Sequence, residues 1–169
     1  AVLTSRRVGV YRVSLSASLG DQTKSCALDV QIVPPPGLWL EMGWDGSRDL
    51  DLHMTVVPDE PRCGDDNDCR RAPNDREECN LEVCTAGFDS RGDRDADCWA
   101  ANMTPEWGDP ADESTNPRYL EDVRRGAGTE NIKLEHPESV YRIALRSWGD
   151  NENRAYLKVF LDGNLLHEV

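Results

Sequence analysis

Two alternating runs joined by a turn, spanning residues 38–54, constrain the fold of this chain more than any other feature. The first run is Leu38-Trp39-Leu40-Glu41-Met42-Gly43-Trp44, and Asp45-Gly46-Ser47 reads as the turn. In the second run Leu50, Leu52 and Met54 fall on one face, and Asp49, Asp51 and His53 on the other. Strand side chains alternate with a period of two, so the pattern predicts one buried face and two carboxylates leaving the opposite one. Carboxylates that close repel each other, and a hard cation with oxygen ligands, such as calcium, relieves the repulsion. The competing reading is a half-exposed strand whose acids are simply solvated.

The same periodicity recurs along the chain. Residues 8–15 and 26–33 alternate about Gly20-Asp21 and predict an N-terminal β-hairpin. A two-stranded ribbon is marginal alone, so it must pack on the main domain, on further sequence or on another copy. Pro34-Pro35-Pro36-Gly37 then reads as a stiff linker and a boundary, dividing the chain into 1–36 and 37–169. From Pro58 to about residue 122 the chain is rich in Asp, Asn, Gly, Pro and Arg and poor in periodicity, which predicts a long inserted loop. Alternation returns with Ile132 and Leu134, then Val140 to Trp148, Tyr156 to Leu161, an Asp162-Gly163 turn, and Leu165-Leu166. Short connections make these strands antiparallel, and no helix of any length is expected. The predicted fold class is all-β, an antiparallel, jelly-roll-like β-sandwich carrying a disulfide-rich acidic loop and the N-terminal hairpin.

Charge narrows the partners. The chain has 19 Lys and Arg against 32 Asp and Glu, a formal net charge of −13. Residues 59–122 hold 19 of the acids and 7 of the bases, a balance of −12, so the excess is concentrated in the loop. Such a surface disfavours nucleic acid and anionic membranes and favours cations or basic partners. No apolar run is long enough to insert in a membrane as a helix. With neither an initiator Met nor a signal peptide, the chain is read as a mature or excised piece of a longer protein.

The six cysteines, Cys26, Cys63, Cys69, Cys79, Cys84 and Cys98, set the expected compartment. Five, nine and four residues separate the four between 63 and 84, and no His lies near. That is not zinc spacing, so an even set in an acidic chain reads as disulfides made outside the cytosol, with six cysteines allowing about fifteen pairings. Within the loop, Asp93, Asp95 and Asp97 match the first ligands of an EF-hand. Cys98 and Thr104 occupy the positions that need Gly and Glu, so an EF-hand is rejected. Trp99 and Trp107 are read as anchors that pack the loop down, the alternative being a sugar-stacking platform. Asn102, Asp109 and Asp112, spaced around those anchors, are candidate cation ligands. No Gly-x-Ser-x-Gly or His-Glu-x-x-His occurs, His53 is read as a rim residue, and the chain is read as non-enzymatic.

Two family resemblances complete this reading. Gly9 to Leu15 followed by Leu28 to Val33 resembles the last strands of an immunoglobulin-like repeat of the polycystic-kidney-disease type, common in secreted bacterial proteins. The order Trp44-Asp45, Asp49-Leu50-Asp51-Leu52-His53, a variable loop, Gly128-x-Glu130-Asn131-Ile132 and Tyr141-Arg142-Ile143 resembles secreted bacterial β-sandwiches related to pre-peptidase C-terminal domains. That resemblance implies a calcium site of Asp45, Asp49, Asp51, Glu130 and Asn131, with loop contributions from Asp97, Asn102 and Asp109. Where such domains often carry further acids just before a Gly-x-Gly turn, Arg124 and Arg125 stand here, and these are expected to pair with loop acids. The cysteine loop resembles short acidic modules of predatory and soil bacteria, which implies Cys63–Cys79 and Cys69–Cys84. Cys26 and Cys98 would then staple the hairpin to the main domain.

The expected function is an extracellular, calcium-stabilised module for cell-surface binding, adhesion or assembly. Its expected partner is another surface protein, or a second copy joined through the N-terminal hairpin. The alternatives are a glycan-binding module and a structural spacer or appendage of a secreted protease.

Overall fold

A computed structural model describes residues 5–56, 97–107, 111–148 and 154–169. These residues form β1 (Gly9–Leu19), β2 (Gln22–Ile32), β3 (Leu38–Trp44), β4 (Leu50–Val56), β5 (Asp97–Cys98), a 3₁₀ turn (Glu113–Thr115), β6 (Arg118–Tyr119), β7 (Gly128–Leu134), β8 (Tyr141–Ser147), β9 (Ala155–Leu161) and β10 (Asn164–Glu168). The fold is all-β, with every strand pair antiparallel. A large sheet runs β10-β9-β3-β7-β6, a small sheet runs β5-β4-β8, and β1-β2 is a separate ribbon. The turns follow from local chemistry. Asp162 and Gly163 both have positive φ, 49° and 81°, as a two-residue type I′ hairpin loop requires between β9 and β10.

Alternation in β3 and β4 builds the core. Leu38, Leu40, Met42 and Trp44 of β3 join Ile132 and Leu134 of β7, Leu157 of β9 and Leu50, Leu52 and Met54 of β4 in one buried cluster. Both sheets therefore contribute to a single core, and the Asp45-Gly46-Ser47 turn carries the chain from one sheet to the other. Gly43 is required on the other face of β3, because an added Cβ would collide with the Tyr156 ring.

Three expectations change. The acid-bearing face of β4 is not solvated: Asp51, His53 and Thr55 are as buried as Leu50 and Leu52. Rings cover it, as Trp148 donates to Asp51 and Trp99 stacks on His53. The region read as loop to about residue 122 returns to the fold well before that point, since Cys98 and Tyr119 both enter the core cluster. The Cys26–Cys98 staple is not formed. Cys98 points into the core while Cys26 sits across from Leu15 on an exposed part of the ribbon. Cys63, Cys69, Cys79 and Cys84 lie outside the described residues, as do Asp93, Asp95 and Asp109.

The ribbon is amphipathic. Tyr11, Val13 and Leu15 pair with Val30, Leu28 and Cys26 on one face, while Ser16 bonds Ser25 and Ser18 bonds Thr23 on the other. The segment preceding β1 holds it to the large sheet: the Val8 amide donates to Glu41 Oε2 at 2.7 Å, and Arg7 donates to Thr129 and to the Gly128 carbonyl.

Thiol reactivity checks the cysteine placement. In the native protein a maleimide should modify Cys26 rapidly and Cys98 only after denaturation, as mapped by peptide mass spectrometry, because burial hides the Cys98 thiol and disfavours its thiolate. Recovery of a Cys26–Cys98 linked peptide from the non-reduced protein would contradict the structure.

Candidate metal centre

With Leu50, Leu52 and Met54 committed to the core, Asp49 and Asp51 leave β4 on its other side. Among the described residues β5 pairs with β4 only at Met54 and Thr55, so the Leu52 amide on that edge needs another acceptor. Glu130 supplies it. It lies opposite Met42 in the β3–β7 register, is fully buried, and accepts from Leu52 N at 2.9 Å and from Val123 N at 3.2 Å. The Val123 contact brings its neighbour Asp122 to the same place. Asp49, Asp51, Asp122 and Glu130 each offer one carboxylate oxygen, and these four atoms lie within 4.8 Å of one another. Oxygen ligands bind calcium at roughly 2.3–2.6 Å, so atoms on opposite sides of one ion stand about 5 Å apart at most. The cluster has the size of a single coordination sphere.

The surroundings supply few counter-charges. Asp51 Oδ2 accepts from Trp148 Nε1 at 2.5 Å, and Asp122 Oδ2 accepts from Arg124 Nε at 2.6 Å. Asp49 Oδ1 and the Tyr119 hydroxyl are buried without a hydrogen-bond partner among the described residues. Burial pushes the Asp49 carboxyl above the ordinary aspartate value, and the charges of Asp51 and Asp122 push it further while Arg124 opposes them. Burial lifts Glu130 up to about 7 despite the donors around it. Burial, with the Glu130 charge beside it, also drives the Tyr119 phenol well above its usual range. Four carboxylates in a partly buried space are unfavourable alone, and a divalent ion would neutralise them.

The structure thus brings together three of the ligands expected from sequence and adds a fourth, Asp122. Sequence reasoning missed it, reading Arg124 and Arg125 as a departure from the acids that precede such a turn in similar domains, although Asp122 stands two positions ahead of Arg124. The remaining candidates lie elsewhere. Asn131 is adjacent to Glu130 on a strand and therefore points to the opposite face, across from Glu41. Asp45 stays at the β3–β4 turn, accepting from Arg154 N at 3.1 Å. Asp97 faces His53, with Oδ2 at 2.8 Å from Nδ1. Asn102 donates to the Asp97 carbonyl at 3.0 Å, and Asp112 caps the 3₁₀ turn by accepting from Ser114 N. His53 is not a rim residue: it is 2 % exposed and stacks on Trp99 with ring centroids 5.0 Å apart. Trp107 stacks on Tyr141, so both loop tryptophans serve as packing anchors.

Comparison with protein-family models, with curated proteins and with solved structures finds no match to this chain. The arrangement is therefore read on its own chemistry: four hard oxygen ligands, two of them on buried side chains, held by two strands and the segment leading into one of them.

The Glu130 environment sets a pH dependence. A carboxyl whose folded pKa is raised holds its proton while the unfolded chain has lost it. Stability therefore falls as pH rises from the ordinary glutamate value to about 7. The difference amounts to roughly 3 kcal/mol at most. In chelator, the thermal midpoint should be higher near pH ~5.5 than near pH ~7.5, and Glu130→Gln should flatten this part of the profile. Equal slopes for wild type and variant would show that Glu130 ionises normally.

Proposed function

We propose that the large and small sheets are the two layers of a β-sandwich whose acidic cluster binds Ca²⁺, in an extracellular module that mediates surface binding or assembly. The observation that carries this reading is the convergence of Asp49, Asp51, Asp122 and Glu130 within one coordination sphere. The ligands come from β4 and the residue just before it, from β7 and from the segment entering β7, so an ion there ties β4 of the small sheet to the large sheet. Calcium suits the site because it takes six to eight oxygen ligands in flexible geometry, and backbone carbonyls or water can complete the set. On this reading calcium braces the fold, and recognition falls to the surfaces around it. The exposed ribbon, read as the end of an immunoglobulin-like unit followed by the Pro-rich linker, is the natural contact for a second copy or another surface protein. The aromatic residues on which a glycan-binding reading would rest, Trp99 and Trp107, stack on His53 and Tyr141 instead.

A thermal melt in EDTA and then in excess calcium tests the site. An ion that binds only the folded form adds about 2.7 kcal/mol at a hundredfold excess over Kd, a rise of about 5–10 °C for a chain of this size. Asp51→Asn should abolish that rise while raising the midpoint in EDTA, because it removes one of the repelling charges. Terbium provides a second readout. Trp148, bonded to Asp51, should sensitise its luminescence, and Trp148→Phe should dim the signal while leaving the calcium-dependent rise in place. A calcium-independent midpoint would instead favour a spacer whose acids are merely held by neighbouring donors.

A further inference from the structure

The cluster carries one charged group that a calcium site would not use as a ligand. Arg124 Nε donates to Asp122 Oδ2 at 2.6 Å, yet the arginine side chain is 77 % exposed and the aspartate 15 %. The guanidinium therefore sits over the cluster from the solvent side. Its charge also bears on Asp49 and Asp51, so it serves three of the four carboxylates. The backbone beneath it is held from both ends. Val123 N donates to Glu130, Trp44 Nε1 donates to the Gly126 carbonyl at 2.8 Å, and Gly126 N donates to the Ser47 carbonyl at 3.4 Å. Arg124 therefore starts from a fixed point, and only its long stem is free to swing.

The guanidinium does not satisfy the interior of the site. Tyr119 is 3 % exposed, and its hydroxyl lies against the Glu130 carboxylate without a hydrogen bond of ordinary geometry. A buried phenol oxygen whose contact with a carboxylate falls outside ordinary hydrogen-bond geometry is incompletely satisfied.

We propose that Arg124 is the tethered counter-ion of the cluster, neutralising Asp122 when no divalent ion is bound and displaced from it when one binds. This inference rests on the cluster being the cation site proposed above. Arg124 then sets the affinity, because the ion must take Asp122 from the guanidinium and afterwards tolerate its positive charge nearby. Like-charge repulsion across several ångströms of solvent-exposed space is modest and strongly screened by salt.

Calcium titration calorimetry on the full chain tests this with four variants beside wild type: Arg124→Gln, Arg124→Lys, Arg125→Gln and Asp49→Asn. At low ionic strength Arg124→Gln should bind calcium about five to ten times more tightly than wild type, and in ~1 M KCl the advantage should largely vanish. Arg124→Lys, which keeps the charge and the reach, should stay near wild type. Arg125→Gln, which removes the same charge one residue away, should change affinity less than Arg124→Gln. If Asp49→Asn abolishes binding but Arg124→Gln binds as wild type or more weakly, the counter-ion role is overturned and the cation site stands. The role is also overturned if Arg125→Gln tightens binding as much as Arg124→Gln, because net charge alone would then explain the effect. Absence of calcium binding in wild type and Arg124→Gln alike overturns both the cation site and the role of Arg124.

Discussion

The hydrogen bond from the Leu52 amide to the Glu130 carboxylate is the interaction on which the rest of the arrangement depends. It joins the two sheets at a place where β4, paired with β8 on one side, has no β5 partner on the other among the described residues. An unpaired amide there would cost about as much as a lost hydrogen bond, and an unpaired buried carboxyl would cost more. Each solves the other's problem. The same carboxylate takes the Val123 amide, which orders the segment entering β7 and delivers Asp122. Removing Glu130 would therefore release a strand edge, a loop and a ligand together.

A second theme is that both central strands are buried on both faces. Behind β3, the Glu41 carboxylate is 1 % exposed and accepts from the Val8 amide and the Tyr156 hydroxyl. Behind β4, Asp51 takes the Trp148 indole, and His53 lies between Asp97 and Trp99. In each case a polar side chain that alternation sends away from the core is roofed by a segment distant in sequence, which supplies a donor or a ring. These contacts anchor the N-terminal segment and the residues after 96 to the sheets, so the polar faces of the central strands organise the periphery as the apolar faces organise the core. The ribbon is the exception. Leu15 and Leu28 remain 69 % and 57 % exposed on its apolar face.

Much of the fold was legible because strands declare themselves by period. The strands from Tyr141 onward, the Asp162-Gly163 turn and the hairpin about Gly20 follow from local alternation and turn chemistry, which do not depend on distant contacts. The short strands β5 and β6 were not legible, since two residues carry no period. Their pairing exists only because Cys98 and Tyr119 find room in a core built by other strands. The roofing of Asp51 and His53 was hidden for the same reason: a polar residue at an outward position looks identical whether water or a tryptophan covers it.

The candidate site divides along this line. Alternation placed Asp49 and Asp51 on one face of β4, and a family-like pattern pointed to Glu130. By itself the sequence therefore determined an all-β chain with a pair of like charges on one strand. Tertiary structure decided the remainder. It separated Asn131 from Glu130 by sending neighbours to opposite faces, and withdrew Asp97 to His53. It also brought Asp122 and its partner Arg124 into the cluster. The physical reason is that strand period is a local property of the backbone, whereas a coordination sphere is set by which strand edges meet, and that depends on how two sheets pack across a shared core.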